Sequence, residues 1–447
     1  MSALTGWGRT QRSVARLVAA AGEDEVAEVL ATARGGVIAR GLGRSYGDAA
    51  QLAGGTVLDG RALAHLGELD TASGEVTVGA GCSIDELLER YVPSGHFVPV
   101  TPGTRQVTVG GAIAADVHGK NHHRDGAFCS HLASLRLVTP SGAITCSPEE
   151  RAEVFWGTAG AMGLTGVVTE ARLRLTAIET DRLLVDTDRL DDLDAVMAAM
   201  TSSGDAAYKY SVAWIDCMAT GARLGRAVLT RANHARSDDL PERLRGVPLR
   251  APRASPLRVP LVAPGGLLNA LSVRAFNEVW FRRAPRHREG ELVGIGSFFH
   301  PLDWVRDWNL LYGPRGVVQY QLAVPDDGGG AIRRCVELLS ASGVPSFLGV
   351  LKRFGPADPG PMSFPIEGWT LALDMPVGPE RLPEVLDELD AIVVDAGGRV
   401  YLAKDARLNP ARLREMYPAL DEFQALRRRL DPDDVLRSDL SVRLGLD

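Results

Sequence analysis

Apolar positions along this chain fall into two rhythms. A 3.6-residue rhythm predicts a helix over residues 23–34, with Val26, Leu30 and Ala33 on one side and Gly35-Gly36 ending it. Ser83, ahead of Ile84, Asp85 and Glu86, reads as the N-cap of a helix running to Tyr91. Further helices are expected over 153–158, 191–200, 331–340 and 382–396, and after Asn409 and Leu420. A two-residue rhythm predicts strands over 37–40, 56–58, 75–80, 132–139, 143–146 and 166–175, then 208–216, 223–230, 297–300, 317–324, 346–352, 369–375 and 399–404. A short arm containing Trp7 precedes the first helix. The pattern is α+β: short strands with interspersed helices to about residue 177, then an antiparallel sheet backed by helices.

With 447 residues, 45% of them apolar and 23% charged, the chain has the composition of an ordered globular protein of two or three domains. A net charge of −7 argues against nucleic acid as a partner. The five cysteines lack Cys-x-x-Cys spacing, and no carboxylate stands at zinc-site spacing from His118, His122 and His123, so reduced thiols and no metal are expected. Arg9, Arg12 and Arg16 interrupt the N-terminal apolar positions, and no apolar run reaches bilayer length, which predicts a cytoplasmic protein or one peripheral to the plasma membrane. Residues 241–290 stand apart. They are proline-rich and carry ten arginines against Glu242, Glu278 and Glu289, with apolar stretches at 261–263 and 267–273. That segment reads either as a mobile solvated insertion or as a lid or membrane-facing patch meeting an anionic, lipid-bearing ligand.

Two glycine-rich stretches carry the candidate chemistry. Residues 40–48 run Arg-Gly-Leu-Gly-Arg-Ser-Tyr-Gly-Asp, and residues 101–121 hold Gly103, Gly110 and Gly111, followed by Asp116, His118, Lys120 and Asn121. A backbone without Cβ atoms can press its N–H groups against a phosphate or a flat ring, so the two stretches read as walls of a cofactor slot. Their spacing is not that of a dinucleotide fingerprint of the Rossmann kind. Later, Gln319, Gln321, Lys352 and Lys404, with Tyr320 and Tyr401, fall on strands where ammonium and amide groups can converge on a phosphate-bearing polyol. His118 is open to three roles: metal ligand, base, or a ring packed on a cofactor.

These stretches, with Gly163-Leu-Thr-Gly166, Phe299-His-Pro-Leu-Asp303, Gln319-Tyr-Gln321, Lys352-Arg-Phe-Gly-Pro356, Ser363-Phe-Pro-Ile366, Gly368-Trp369 and Tyr401-Leu-Ala-Lys-Asp405, resemble the vanillyl-alcohol oxidase, or PCMH-type, family of FAD-binding proteins. Within it they are most similar to the flavin subunits of decaprenylphosphoryl-ribose 2′-epimerases. The resemblance implies a PCMH-type FAD-binding domain over 1–177, a substrate domain over 178–405, and helices over 406–447 returning to the first domain. It implies FAD held by Arg40, Gly41, Leu42, Gly43, Arg44, Ser45, Tyr46, Gly47, Asp48, Gly103, Thr108, Val109, Gly110, Gly111, Ala115, Asp116, Val117, His118, Val168 and Tyr401. Catalysis would rest on Lys404, Tyr46 and His118, and substrate binding on Gln319, Gln321, Lys352, Lys120, Trp214 and Ala372.

The implied reaction takes hydride from C2′ of a polyprenyl-phosphate-linked ribose, and an NADH-dependent reductase partner completes the epimerisation that feeds cell-wall arabinan synthesis. By the same resemblance the cell-envelope side of the membrane is an alternative location. Lys404 would stabilise negative charge as a cation or accept a proton when neutral. Three positions depart from the family. Arg44 stands where covalent flavoproteins of the wider family have histidine, so non-covalent FAD is expected. Ala372 replaces a cysteine that nitroaromatic inhibitors attack, and Phe299 replaces a tyrosine. Two other readings are an FAD-dependent oxidase of a soluble alditol or aldonolactone, and an inert flavin-binding scaffold for a reductase.

Overall fold

A computed structural model describes residues 1–253, 255–326 and 330–446. The chain opens with a small sheet in which Arg12–Ala19, Thr56–Asp59 and Val37–Arg40 run parallel and Ser2–Thr5 pairs antiparallel at the edge. The expected N-terminal arm is therefore largely strand, at Ser2–Thr5 and Arg12–Ala19 on either side of Trp7. Their alternation is inverted: Ser13 and Ala15 point inward, while Val14 and Leu17 are exposed. A second sheet is antiparallel throughout, in the order Glu75–Gly79, Val167–Arg174, Leu132–Thr139, Gly142–Cys146. The helix Ile84–Tyr91 leaves its first strand through a full capping box: Ser83 Oγ accepts from Glu86 N at 3.1 Å, and the Glu86 carboxylate accepts from Ser83 N at 2.7 Å.

The third sheet has eight strands, ordered His287–Gly294, Arg182–Leu190, Ala227–His234, Tyr210–Ile215, Leu348–Phe354, Gly368–Pro376, Val317–Pro325 and Arg399–Val400, all antiparallel. Its register is what positions the candidate site. Gln321 lies opposite Ala372, which lies opposite Val350, and Gln319 lies opposite Asp374, which lies opposite Leu348. Because side chains alternate faces, all six share one side of the sheet. The other side carries Tyr320, Leu322, Leu351, Leu371 and Leu373, all buried in the main core. The helices Gly330–Ser342 and Leu382–Asp395 belong to that same core through Ile332, Val336, Leu339, Val385 and Leu389.

Four expectations need correction. The strands Arg182–Leu190 and His287–Gly294 are absent from the sequence reading because Asp186, Asp188 and Arg189 interrupt the apolar run of the first and the second buries none of its residues. Residues 295–299 form a helix, not a strand, burying Ile295, Phe298 and Phe299. Only Arg399 and Val400 of the expected strand over 399–404 pair with the sheet, and the rest turns sharply. Residues 241–290 are not simply a loop: they hold the fourteen-residue helix Ala270–Arg283, capped by Asn269, and the start of the sheet's edge strand.

The last helices, Pro410–Met416, Leu420–Leu430 and Asp439–Leu444, lead back to the first sheet. Val37 donates to Val435 O at 2.7 Å and Arg437 N donates to Val37 O at 3.0 Å. Arg443 grips Asp48 with both ends of its guanidinium, at 2.7 and 2.8 Å, and reaches Asp405 at 2.9 Å. Both carboxylates are almost fully buried, so removing the arginine strands two charges in a dry place. Arg443→Met is expected to destabilise the fold by about 3–5 kcal/mol. The midpoint of urea unfolding reads this directly, and an unchanged midpoint would show the cluster to be dispensable.

Candidate active site

Between the two glycine-rich stretches and the polar face of the eight-stranded sheet lies a cavity of about 520 Å³. That is in the roughly 300–1,000 Å³ range of cofactor and ligand sites. One wall is residues 40–46. Gly43 has φ +65°, and the amides of Leu42, Gly43, Arg44 and Ser45 make no hydrogen bond among the described residues. Successive free N–H groups around a left-handed glycine form a concave donor array suited to a diphosphate. The second wall touches the first: a Cβ on Gly41 would meet Thr108 Oγ1 at 2.2 Å, so only glycine allows this approach. Thr108 in turn accepts from Gly111 N at 3.1 Å and opens the short helix Val109–Ala114. A partly apolar cavity of this volume with a free amide array at one wall fits FAD.

The opposite side carries the polar cluster. Gln321 Nε2 donates to Thr370 Oγ1 at 3.2 Å, and that hydroxyl is already committed as donor to Leu322 O, which fixes the amide's orientation. The same Nε2 therefore donates to His118 Nε2 at 2.8 Å. Burial and neighbouring lysines keep His118 well below its usual pKa, so its proton sits on Nδ1, a buried donor without a partner. Gln319 Nε2 donates to the Tyr46 hydroxyl oxygen at 3.1 Å and also to Asp374 Oδ1. Tyr46 is buried and its pKa is raised well above the ordinary value, so it keeps its proton and can donate it.

Lys404 reaches the cavity from the tight turn after Val400, where Lys404 N donates to Tyr401 O at 2.9 Å. Its ammonium lies 4.4 Å from the centre of the Tyr46 ring. Burial pushes Lys404 down to about 8, opposed by Asp374, and pushes Lys352 down to about 7, helped by Lys120 and Lys404. Asp374 is raised by burial to about 6, opposed by Gln319 and Lys404. Between those values Asp374 is ionised and Lys404 protonated. Tyr401 ties the turn to the second wall by donating to Ala115 O at 2.8 Å.

Most of the residues singled out from sequence line this one cavity: residues 40–46, Gly103, Thr108, Gly110, Gly111, Ala115, Val117, His118, Val168, Gln319, Gln321, Lys352, Ala372, Tyr401 and Lys404. Six do not. Gly47 is a packing glycine, since a Cβ there would lie 1.9 Å from Asp405 O. Asp48 faces Arg443 below the loop. Val109 is core. Asp116, at φ +40° and fully buried, accepts from Cys129 N at 3.2 Å and from Ser363 Oγ, bracing the turn from behind. Lys120 is carried past the cavity, donating to Phe298 O with its ammonium 4.2 Å from the Phe298 ring. Trp214 shares the row of Gln321, Ala372 and Val350, but the cavity wall ends one strand earlier, at Val350. Phe299 is buried and packs on Phe97 and Tyr210 at 5.0 and 4.8 Å, and it is not among the residues lining the cavity.

Sequence reading passed over Asp374, Trp7 and the mouth residues. Asp374 was legible, as an acid standing two positions from Ala372 in an otherwise apolar strand. Trp7 was not: its ring packs under Arg44 at 4.1 Å and against Trp308 at 5.9 Å, the second contact spanning about 300 residues of chain. At the mouth, Asp303 accepts from Thr104 Oγ1 at 2.7 Å and Arg105 N at 2.8 Å, joining the second wall to residues 301–308.

Known proteins place this architecture. Residues 14–147 match the FAD binding domain family, and residues 380–444 match D-arabinono-1,4-lactone oxidase. The chain is 26% identical, over 94% of both lengths, to an L-gulono-1,4-lactone dehydrogenase of Mycobacterium tuberculosis. It is 40% identical over 81% of its length to the whole of an uncharacterised protein of Streptomyces coelicolor. It is also 40% identical to the decaprenylphosphoryl-β-D-ribose oxidase of Mycolicibacterium smegmatis, over 99% of this chain and 97% of that one. On that full-length likeness and the cavity that accompanies it, the chain belongs to the decaprenylphosphoryl-β-D-ribose oxidase family, FAD-dependent oxidoreductases of the PCMH type.

Proposed function

We propose that the protein oxidises the 2′-hydroxyl of a polyprenylphosphoryl-β-D-ribose to the 2′-ketone, using non-covalent FAD, and that a separate NADH-dependent reductase consumes the ketone. The observation that carries this reading is the meeting of Lys404, Tyr46, Gln319, Gln321, Lys352 and the orphaned His118 Nδ1 in one cavity whose other wall is the free amide array. The relative from Mycolicibacterium smegmatis supplies the substrate class.

When bound, FAD supplies the acceptor for a hydride and its two electrons. The protein's part is binding and proton handling. Amides of residues 42–45 and Arg44 would hold the cofactor's diphosphate, and Val117, Val168 and Ala115 would give it apolar contact along the cavity. Tyr46 and His118 Nδ1–H donate to sugar oxygens, each aimed by a glutamine on the sheet. Lys352 meets the sugar phosphate; its pKa of about 7 rises when an anion arrives, restoring the charge that burial removes. Lys404 in its neutral form takes the proton from the 2′-hydroxyl oxygen as hydride leaves the carbon bearing it, a role matched to a lysine brought down to about 8. Asp374 sets how readily it does so.

One specific observation favours a second reading. The match of residues 380–444 to D-arabinono-1,4-lactone oxidase is what an oxidase of a soluble alditol or aldonolactone would also show. Turnover on free alditols and aldonolactones that exceeds turnover on lipid-linked ribose would establish that reading instead.

Three outcomes are expected. Activity on the lipid-linked ribose should rise with pH through an apparent pKa of about 8, and Lys404→Met should lose that rise along with about 10²–10⁴ in kcat/KM while still binding flavin. A profile that falls above pH 8 would give Lys404 the cationic role. Acid precipitation should leave yellow colour in the supernatant, because residues 40–48 include no histidine or cysteine to bond the ring. Finally, no cysteine lines the cavity, and Ala372 stands opposite Gln321. Intact mass should therefore be unchanged after turnover with a nitroaromatic inhibitor; an added inhibitor mass would contradict this.

A further inference from the structure

The helix Ala270–Arg283 is amphipathic in reverse. Its buried line is Val273, Asn277 and Phe281, and Asn277 donates to Asp216 Oδ1 at 2.7 Å within an ion-paired cluster that also holds Arg226. Its outer face carries Leu271 at 79% exposure, Val279 at 66% and Trp280 at 46%. The chain just before it crosses the cavity mouth: Val259 N donates to Arg306 O at 3.0 Å and Arg306 N to Leu257 O at 2.9 Å. Ser255, Leu302, Val305, Arg306 and Trp308 line the cavity there. Leu257, Leu261 and Trp304, each more than half exposed, stand beside that mouth. A soluble monomer seldom leaves so many large apolar side chains bare on adjoining segments.

The charge around them is selective. Arg253, Arg274, Arg283 and Arg306 are exposed and have no ion-pair partner among the described residues, whereas Arg258 and Arg282 are paired to Asp307 and Glu278. This basic collar sits on a chain of net charge −7, so an anionic plane attracts this face and repels the remainder. A second copy of the chain is a poor occupant, because a two-fold contact through this face would set arginine against arginine.

We propose that the outer face of residues 257–283, with Trp304 and Arg306, docks on an anionic lipid bilayer and presents the cavity mouth to it. The apolar side chains enter the headgroup boundary while the arginines meet lipid phosphates. The inference deepens the functional reading above, since a polyprenyl substrate would then enter from the membrane plane. Its test needs no turnover.

The full-length flavoprotein is mixed with phosphatidylglycerol–phosphatidylcholine vesicles, or with phosphatidylcholine alone, and bound protein is measured by flotation. Binding to the anionic vesicles, weakened by raised salt and cut about tenfold in both Leu271→Asp/Val279→Asp and Arg274→Glu/Arg283→Glu, supports the proposal. Flavin content and melting temperature of each variant report folding. Wild type that fails to float with anionic vesicles overturns it, as do folded variants that bind like wild type. A dimer seen by sedimentation and broken by the same substitutions overturns it too, giving the face to a second copy. Vesicle binding without oxidation of lipid-linked ribose would sink the functional reading and leave this one standing.

Discussion

The cavity depends on one close approach, that of the turn 401–405 against residues 40–48. Tyr46 N donates to Ala403 O at 3.0 Å, Gly47 leaves no room for a Cβ beside Asp405 O, and Arg443 clamps Asp48 and Asp405 together from below. The approach joins three parts of the chain far apart in sequence: the first glycine loop, the end of the eight-stranded sheet and the last helix. It brings the Lys404 ammonium onto the Tyr46 ring. Burying an ion cluster is costly in itself, and such clusters persist where they fix geometry. Here the geometry fixed is the span between the first glycine loop and Lys404.

On top of that clamp, the sheet register does the aiming. Gln319 and Gln321 stand two positions apart on one strand, so they share a face, and each orients a different partner, Tyr46 and His118. The two glutamines turn a flat β surface into directed donors. On the same wall, burial moves His118 and Lys404 down and Asp374 up. The Asp374 and Lys404 titrations are thereby drawn toward neutral pH, where groups that hand protons on are most effective.

How much of this was legible follows from the range of the interactions. Helices with local caps, such as those opened by Ser83 and Asn409, announced themselves, because the cap and the first turn lie within four residues. Strands with one apolar face were equally clear. Three strands were hidden: Arg12–Ala19 has small inward residues, Arg182–Leu190 has its apolar run interrupted by Asp186, Asp188 and Arg189, and His287–Gly294 buries no residue. In the cavity, glycine turns and the odd polar residue on an apolar strand were visible. Separating Gly41 from Gly47, or Lys352 from Lys120, was not, because the difference is which way a turn carries the side chain. Trp7 and Arg443 act across hundreds of residues and leave no local trace.

The margins of the large sheet have a consequence for solubility. At one end the strand Arg399–Val400 is two residues long. At the other, His287–Gly294 holds His287, Arg288, Glu289 and Glu291 in the open, bends at Gly290 with φ +65°, and pairs with its neighbour across a register shift between Val185 and Thr187. A stub cannot template a new strand, and a kinked, charged margin repels one, so neither border invites the strand-by-strand stacking that leads to fibrils. The price of so broad a sheet is thus kept away from its borders.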